Sequence, residues 1–424
     1  MKNSNNQRGF AAFFITILIL AVVFAISVSI YTLTYGEQKI SSNVVKSTQA
    51  YYASEAGVED ILLRLAKNKK WTSPYILNVG SGSTTIGVSN IIGGSRTINS
   101  SGNVSNRIRK IQVAYSISSD VISFHYGAQI GAGGMVMENN SEVQGNVFSN
   151  GTVTGGGKID NNIIVAGNGN KIQGGLHVKG NATVHSCQNA TVDGDLTYVS
   201  GGSVVNCTVG GATLIRPNQI DPVPLPILQS QIDDWKNEAA GGGICVPPLC
   251  DGSGNLNFSS VSAIAGPLKI PGNLNCTKNG AILTVTGTLW VVGGISFSNS
   301  CTMKLSSAYG ANSGVVVADG IVDISNNVTF LGSGTPGSYI MILSAKNAPT
   351  SQVMDISNNS MGAIYYAGNG RIHFNNNATA QEVTAYGFDL DNNAIIMYEI
   401  GLSDVGFTSG PGGGWEVASW KEVE

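Results

Sequence analysis

Aspartates at short intervals are the residues in this chain best suited to chemistry. Asp193 and Asp195, Asp319 and Asp323, and Asp389 and Asp391 form close pairs. The i, i+2 pairs share one face of an extended strand, where one carboxyl can donate a proton while the other accepts one. No lysine or arginine accompanies them at a constant interval, and His373 stands alone in the sequence. Such acids are expected as solvated turn and strand-edge residues, and the chain is expected not to be an enzyme. Asp251-Gly252-Ser253-Gly254-Asn255 sets oxygen side chains at alternate positions, as a calcium loop begins, but no closing glutamate follows. Gly131-Ala132-Gly133-Gly134 and Gly155-Gly156-Gly157 lack the Lys-Ser/Thr of a phosphate-binding loop. His125, His177, His185 and His373 show no ligand spacing beside the cysteines, so no metal and no cofactor is expected.

The six cysteines, Cys187, Cys207, Cys245, Cys250, Cys276 and Cys301, suggest disulfides in an oxidising compartment. Spacing proposes Cys187 with Cys207, Cys245 with Cys250, and Cys276 with Cys301; buried free thiols are the alternative. Aromatic residues that could stack on a glycan are Trp290, Tyr365, Tyr366 and Phe374, for which burial is the competing fate.

These residues need a scaffold, and composition says which. The chain has 424 residues, 42% hydrophobic and 12% charged, with a net charge of −3 and 55 glycines. With 23 lysines and arginines there is no broad basic face for nucleic acid as main partner. Dense Gly, Asn, Ser, Thr and Val describe short strands between tight turns. From Phe10 to Gly36 no residue is charged, and Phe13 to Ile26 is apolar apart from Thr16, on every helical face. That length spans a bilayer as one helix. Lys2 and Arg8 precede it, which places the N-terminus in the cytoplasm and the bulk outside. A secretory signal peptide would be cut after the apolar run, near Ala25 to Ser29.

The boundary ahead of that run argues for a different processing. Gln7-Arg8-Gly9-Phe10 resembles the prepilin peptidase site of type IV pilins and pseudopilins. Ser47-Thr48-Gln49-Ala50-Tyr51-Tyr52-Ala53-Ser54-Glu55-Ala56-Gly57-Val58-Glu59-Asp60 resembles the N-terminal pattern of PilX-type minor pilins. The resemblance covers residues 1–70. It implies a leader of residues 1–9 carrying Lys2 and Arg8, cleavage between Gly9 and Phe10, and a helix over 10–70. It also implies other pilin subunits, the pilus assembly platform and prepilin peptidase as partners, with the membrane held by one helix. Major pilins usually carry Glu at the fifth mature position, and here that position is Phe14. A minor or tip subunit is therefore expected over the repeating one.

Residues 71–126 read as a small antiparallel sheet, and Arg107, Arg109 and Lys110 within it receive no function. From Gly127, strand–Gly corner–strand units recur at roughly twenty residues, the pattern of a parallel β-solenoid; a β-sandwich is the alternative. The first stretch covers 127–216. Residues 217–262 hold a proline-rich segment, a short helix from Ile227 to Ala240 and the cysteine loop. A second stretch with a C-terminal cap covers 263–424 and continues the same stack. Asn139-Asn140, Asn161-Asn162, Asn326-Asn327, Asn358-Asn359, Asn375-Asn376-Asn377 and Asn392-Asn393 are candidate ladder positions, since Asn tolerates left-handed backbone. The expected function is that of a minor pilin-like structural or adhesive protein of the cell surface, with a surface glycan or a host or cell ligand as a further possible partner. The alternatives are a membrane-tethered carbohydrate-active β-helix enzyme and an envelope scaffold outside any filament.

Overall fold

The computed structural model describes residues 6–66, 71–89, 95–117, 120–122, 124–258, 262–398, 402, 405–407 and 415–423. They divide into two compact units, broadly an N-terminal helix with an antiparallel sheet, and a parallel β-helix-like body.

In the first unit α1 spans Asn6–Ala66, and β1 (Tyr75–Val79), β2 (Gly82–Val88), β3 (Ser95–Val104) and β4 (Arg107–Ile117) form the sheet. Ser105 and Asn106 between β3 and β4 both have positive φ, the geometry of a two-residue hairpin turn. The helix lies on the sheet through its smallest residues. Ala50, Ala53 and Ser54 are buried against it. A Cβ on Gly57 would stand 2.5 Å from Ser100 Oγ, and one on Gly102 would strike the Ala50 carbonyl oxygen. Only glycine permits that approach. The strand Trp415–Val423 is the fifth of this sheet, next to β4. The tail expected to cap the solenoid instead satisfies an open sheet edge, and Arg109 Nη1 bonds Glu422 Oε1 there at 2.9 Å.

In the second unit, short strands with an in–out–in pattern pair in parallel, level upon level, rather than as the antiparallel sheets of a sandwich. One inward column runs Leu256, Leu274, Ile295, Val322, Met354, Ile372, Phe388, Met135, Val153, Ile172, Cys187, Val204. Each apolar side chain so buried contributes about 1.5–3 kcal/mol, and no level can bury its own face alone. The numbering of that column exposes the connectivity. The two stretches share one stack, but the later stretch precedes the earlier one in space. Residues 128–216 wind from the middle to one end; residues 256–397 start at the other end and wind back to the middle. There Val383 pairs with Ala128, Phe388 with Met135 and Ile395 with Glu142, so the turn of residues 382–397 stacks directly on the turn of residues 128–144. Arg371 ties this junction, with Nη2 on Asp389 at 2.6 Å and Nη1 on the Gly133 carbonyl at 2.8 Å.

Residues 217–255 are the return path. Asn150 exchanges two hydrogen bonds with the Val223 backbone, Gln129 donates to the Pro224 carbonyl and Tyr366 to that of Ile227, so the segment crosses successive levels on their outer side. Helix α2 (Gln229–Gly241) then buries Ile232, Trp235 and Ala239. Lys236 bonds Asp319 at 2.6 Å, and Asp319 accepts from Trp290 Nε1 at 2.8 Å.

Asparagines line two corners. Asn326, Asn358 and Asn376 bond side chain to side chain along the stack, as do Asn327, Asn359, Asn377 and Asn393, and all have positive φ. A second ladder uses Asn146, Asn162, Asn181 and Asp195, whose side-chain oxygens accept from the backbone N–H one level on.

Candidate functional site

The first candidate is α1 itself. From Phe10 to Tyr35 its large apolar side chains are exposed all round, with Phe10 66%, Leu20 74% and Phe24 70% accessible. This is the one helix among the described residues long and apolar enough to cross a membrane. Arg8, Gly9 and Phe10 lie in its first turns and Lys2 falls outside the described residues. Phe14 packs edge-on against Phe10 with ring centroids 4.7 Å apart, so the fifth position after Gly9 presents a ring and no carboxylate. Further along, the sheet grips the helix. Arg107 Nη2 donates to Asn43 Oδ1 at 2.9 Å and Arg109 Nε to Ser47 Oγ at 2.8 Å. The basic cluster left without a role in the sequence thus positions the helix; alternation along β4 puts both arginines on its helix side.

The second candidate is a polar strip on the parallel stack. Ser296, Asp323, Asp355, His373 and Asp389 stand in register on successive levels. His373 is not isolated. Its Nδ1 meets Asp355 Oδ1 and its Nε2 meets Asp391 Oδ2, each at 2.9 Å. The Asp355 carboxylate holds the imidazolium up to about 9, partial burial opposes this, and Asp391 adds to it. Burial raises the Asp323 carboxyl, and the neighbouring Asp355 charge adds to that. The sequence does carry a signal for the triad: its members are spaced by 18 residues each way, one turn of the stack.

The other acids are also engaged. Asp193 meets His177 Nε2 at 3.0 Å, Asp195 accepts from the Ala212 N–H, Asp319 anchors α2 and Asp389 holds Arg371. Asp251 accepts from the backbone N–H of Ser253 and Asn255 and the side chains of Asn255 and Asn257, closing a turn. No cluster of histidine, cysteine or acid suited to a metal occurs among the described residues. The cysteines are joined as Cys187–Cys207, Cys245–Cys250 and Cys276–Cys301. Tyr365 and Phe374 are inside the stack in an aromatic run with Phe330, Phe297 and Phe258, Tyr366 lies under the return segment, and Lys269 sits 4.0 Å over Trp290. None of the four aromatics forms an open stacking platform.

Comparison with known proteins bears on the helix. Residues 8–59 match the PilX N-terminal family. The PilX-type region therefore takes in the Gly9–Phe10 boundary, the exposed apolar run and the small-residue contact with the sheet. Among solved structures, the competence-associated pilin ComZ from Thermus thermophilus is similar at 12% identity and a TM-score of 0.27, over 89% of this chain and 97% of that one. No curated protein matches the chain.

Proposed function

We propose that the protein is a minor type IV pilin-like subunit that enters a pilus or pseudopilus through α1 and displays its parallel stack at the cell surface. The observation that carries this reading is the exposed apolar run of α1 inside the PilX-type region. Left in water, each of its large side chains forgoes about 1.5–3 kcal/mol, so the helix requires lipid first and neighbouring helices afterwards. In this reading Lys2 and Arg8 keep the leader cytoplasmic, prepilin peptidase cuts between Gly9 and Phe10, and the assembly platform and other pilin subunits receive the helix. Phe14 at the fifth mature position gives no carboxylate to pair with a neighbour's terminal amine, which suits a minor or tip position. The work is binding and assembly rather than turnover, a view supported by the engagement of Asp193, Asp195, Asp319, Asp389 and Asp391 in structural bonds. The test is the N-terminal mass of the chain from native membranes and from sheared surface material. A chain beginning at Phe10 in both fractions is expected; an intact Met1, or absence from sheared filaments, overturns the proposal.

A further inference from the structure

On one outer face of the parallel stack Ile264, Thr284, Lys304 and Leu331 stand in register, one per level. The loop from Gly332 to Ser338 rises beside them and completes a groove of about 720 Å³ that Thr284, Lys304, Ser307, Leu331, Thr335 and Pro336 help to line. The loop is braced: Ser333 Oγ donates to the Gly310 carbonyl, Ser338 Oγ to that of Asn312 at 2.7 Å, and the Ser333 N–H to Ser338 Oγ at 2.9 Å. The groove wall is therefore formed before any ligand arrives.

Its chemistry is lopsided. Lys304 is the one charged residue in the lining, it is half-buried, and among the described residues its ammonium has no acceptor. Four other lysines of the same unit are matched, Lys158 with Glu142, Lys179 with Asp160, Lys236 with Asp319 and Lys171 with Gln188, while Lys278 and Lys346, which have no acceptor among the described residues, do not line the groove. The hydroxyls of Thr284, Ser307 and Thr335 are likewise without protein partners. An ammonium with no protein counter-charge is open to pairing with an incoming anion.

We infer that this groove binds a saccharide bearing a carboxylate, with Lys304 taking the carboxylate and Thr284, Ser307 and Thr335 taking ring hydroxyls. One ammonium matches one carboxylate, whereas a nucleic-acid backbone needs a run of cations. No aromatic residue lines the groove, so a base has no ring to stack on, while Leu331 and Pro336 fit the C–H edges of a sugar ring. The volume lies within the span of small-ligand sites. The site goes beyond the filament reading and holds whether or not α1 enters a pilus.

The test is calorimetric titration of the detergent-solubilised full chain with tetragalacturonate, a hyaluronan tetrasaccharide and a short polysialic acid. Methyl-esterified tetragalacturonate, inorganic phosphate and single-stranded DNA serve as comparisons. At least one carboxylated saccharide is expected to bind at one site. Lys304→Gln should weaken it by about tenfold or more without shifting thermal unfolding, and esterification should weaken galacturonate binding in the same way. Thr335→Val should weaken it several-fold. The inference is overturned if none of the three saccharides binds, if Lys304→Gln binds as well as the parent, or if phosphate or DNA binds more tightly than every saccharide. The N-terminal mass and shearing assays do not depend on Lys304, so failure here and failure of the filament reading are separable.

Discussion

Replacing His373 by glutamine tests whether the Asp355–His373–Asp391 triad is an ion cluster that fastens three levels of the stack. The imidazole moves from an ordinary 6.5 to about 9 on folding. At about 1.4 kcal/mol per pKa unit that is roughly 3 kcal/mol of linkage, and solvent on the open side of the triad screens it to about 1–2 kcal/mol. His373 gains a proton on folding, so its contribution is complete below pH 6.5 and fades as pH rises through about 9. His373→Gln should therefore cost about 1–2 kcal/mol in urea unfolding at pH 6 and much less at pH 10. The parent alone should show that component of pH dependence. Because the chain has four histidines, labelling them gives an NMR titration simple enough to assign by this same variant. A His373 signal titrating near 6.5, or a variant equally destabilised at both pH values, refutes the reasoning.

Three further variants test burial and close approach. Glu382 is fully buried with Thr384 Oγ1 donating to it at 2.6 Å; burial raises its carboxyl well above the usual range and that bond opposes the rise. The folded protein keeps a proton that the unfolded chain releases above about 4.5, so Glu382 costs stability as pH rises. Glu382→Gln should raise the melting temperature by a few degrees at pH 8 and leave it unchanged at pH 4 by calorimetry. In the helix–sheet unit, Gly102→Val should destabilise by about 1–3 kcal/mol in circular-dichroism melts, since its Cβ meets the Ala50 backbone. Gly87→Ala, at a strand position with open space around it, should stay within about 0.5 kcal/mol of the parent.

Much of the architecture was legible because it rests on local rules. An uncharged apolar run has one stable environment, and the Asn pairs at 326–327, 358–359, 376–377 and 392–393 mark left-handed corners wherever the stack turns. What escaped rests on distant pairing. Nothing local to Val383 says that Ala128 lies beside it, and nothing local to Trp415–Val423 says that β4 offers an edge. His373 looked solitary because its partners are each a full turn away. The Lys304 groove was hidden for the same reason: Thr284, Lys304 and Leu331 become neighbours only once levels stack, and the wall belongs to a loop that follows the last of them.

The order of the inward column makes the stack a natural circular permutant. Severing the return segment between Arg216 and Leu256 and splicing residue 397 to residue 128 would give a solenoid that winds one way from end to end, with the neighbours along the parallel stack retained. As the chain stands, during synthesis the level that holds Met135 waits for the level that holds Phe388, made some two hundred and fifty residues later. Residues 128–216 can stack on one another but keep an open apolar slot on that side until then. A product truncated before residue 382 would present a hole in its middle rather than a frayed end, so the body is sealed only when nearly all of it has been made.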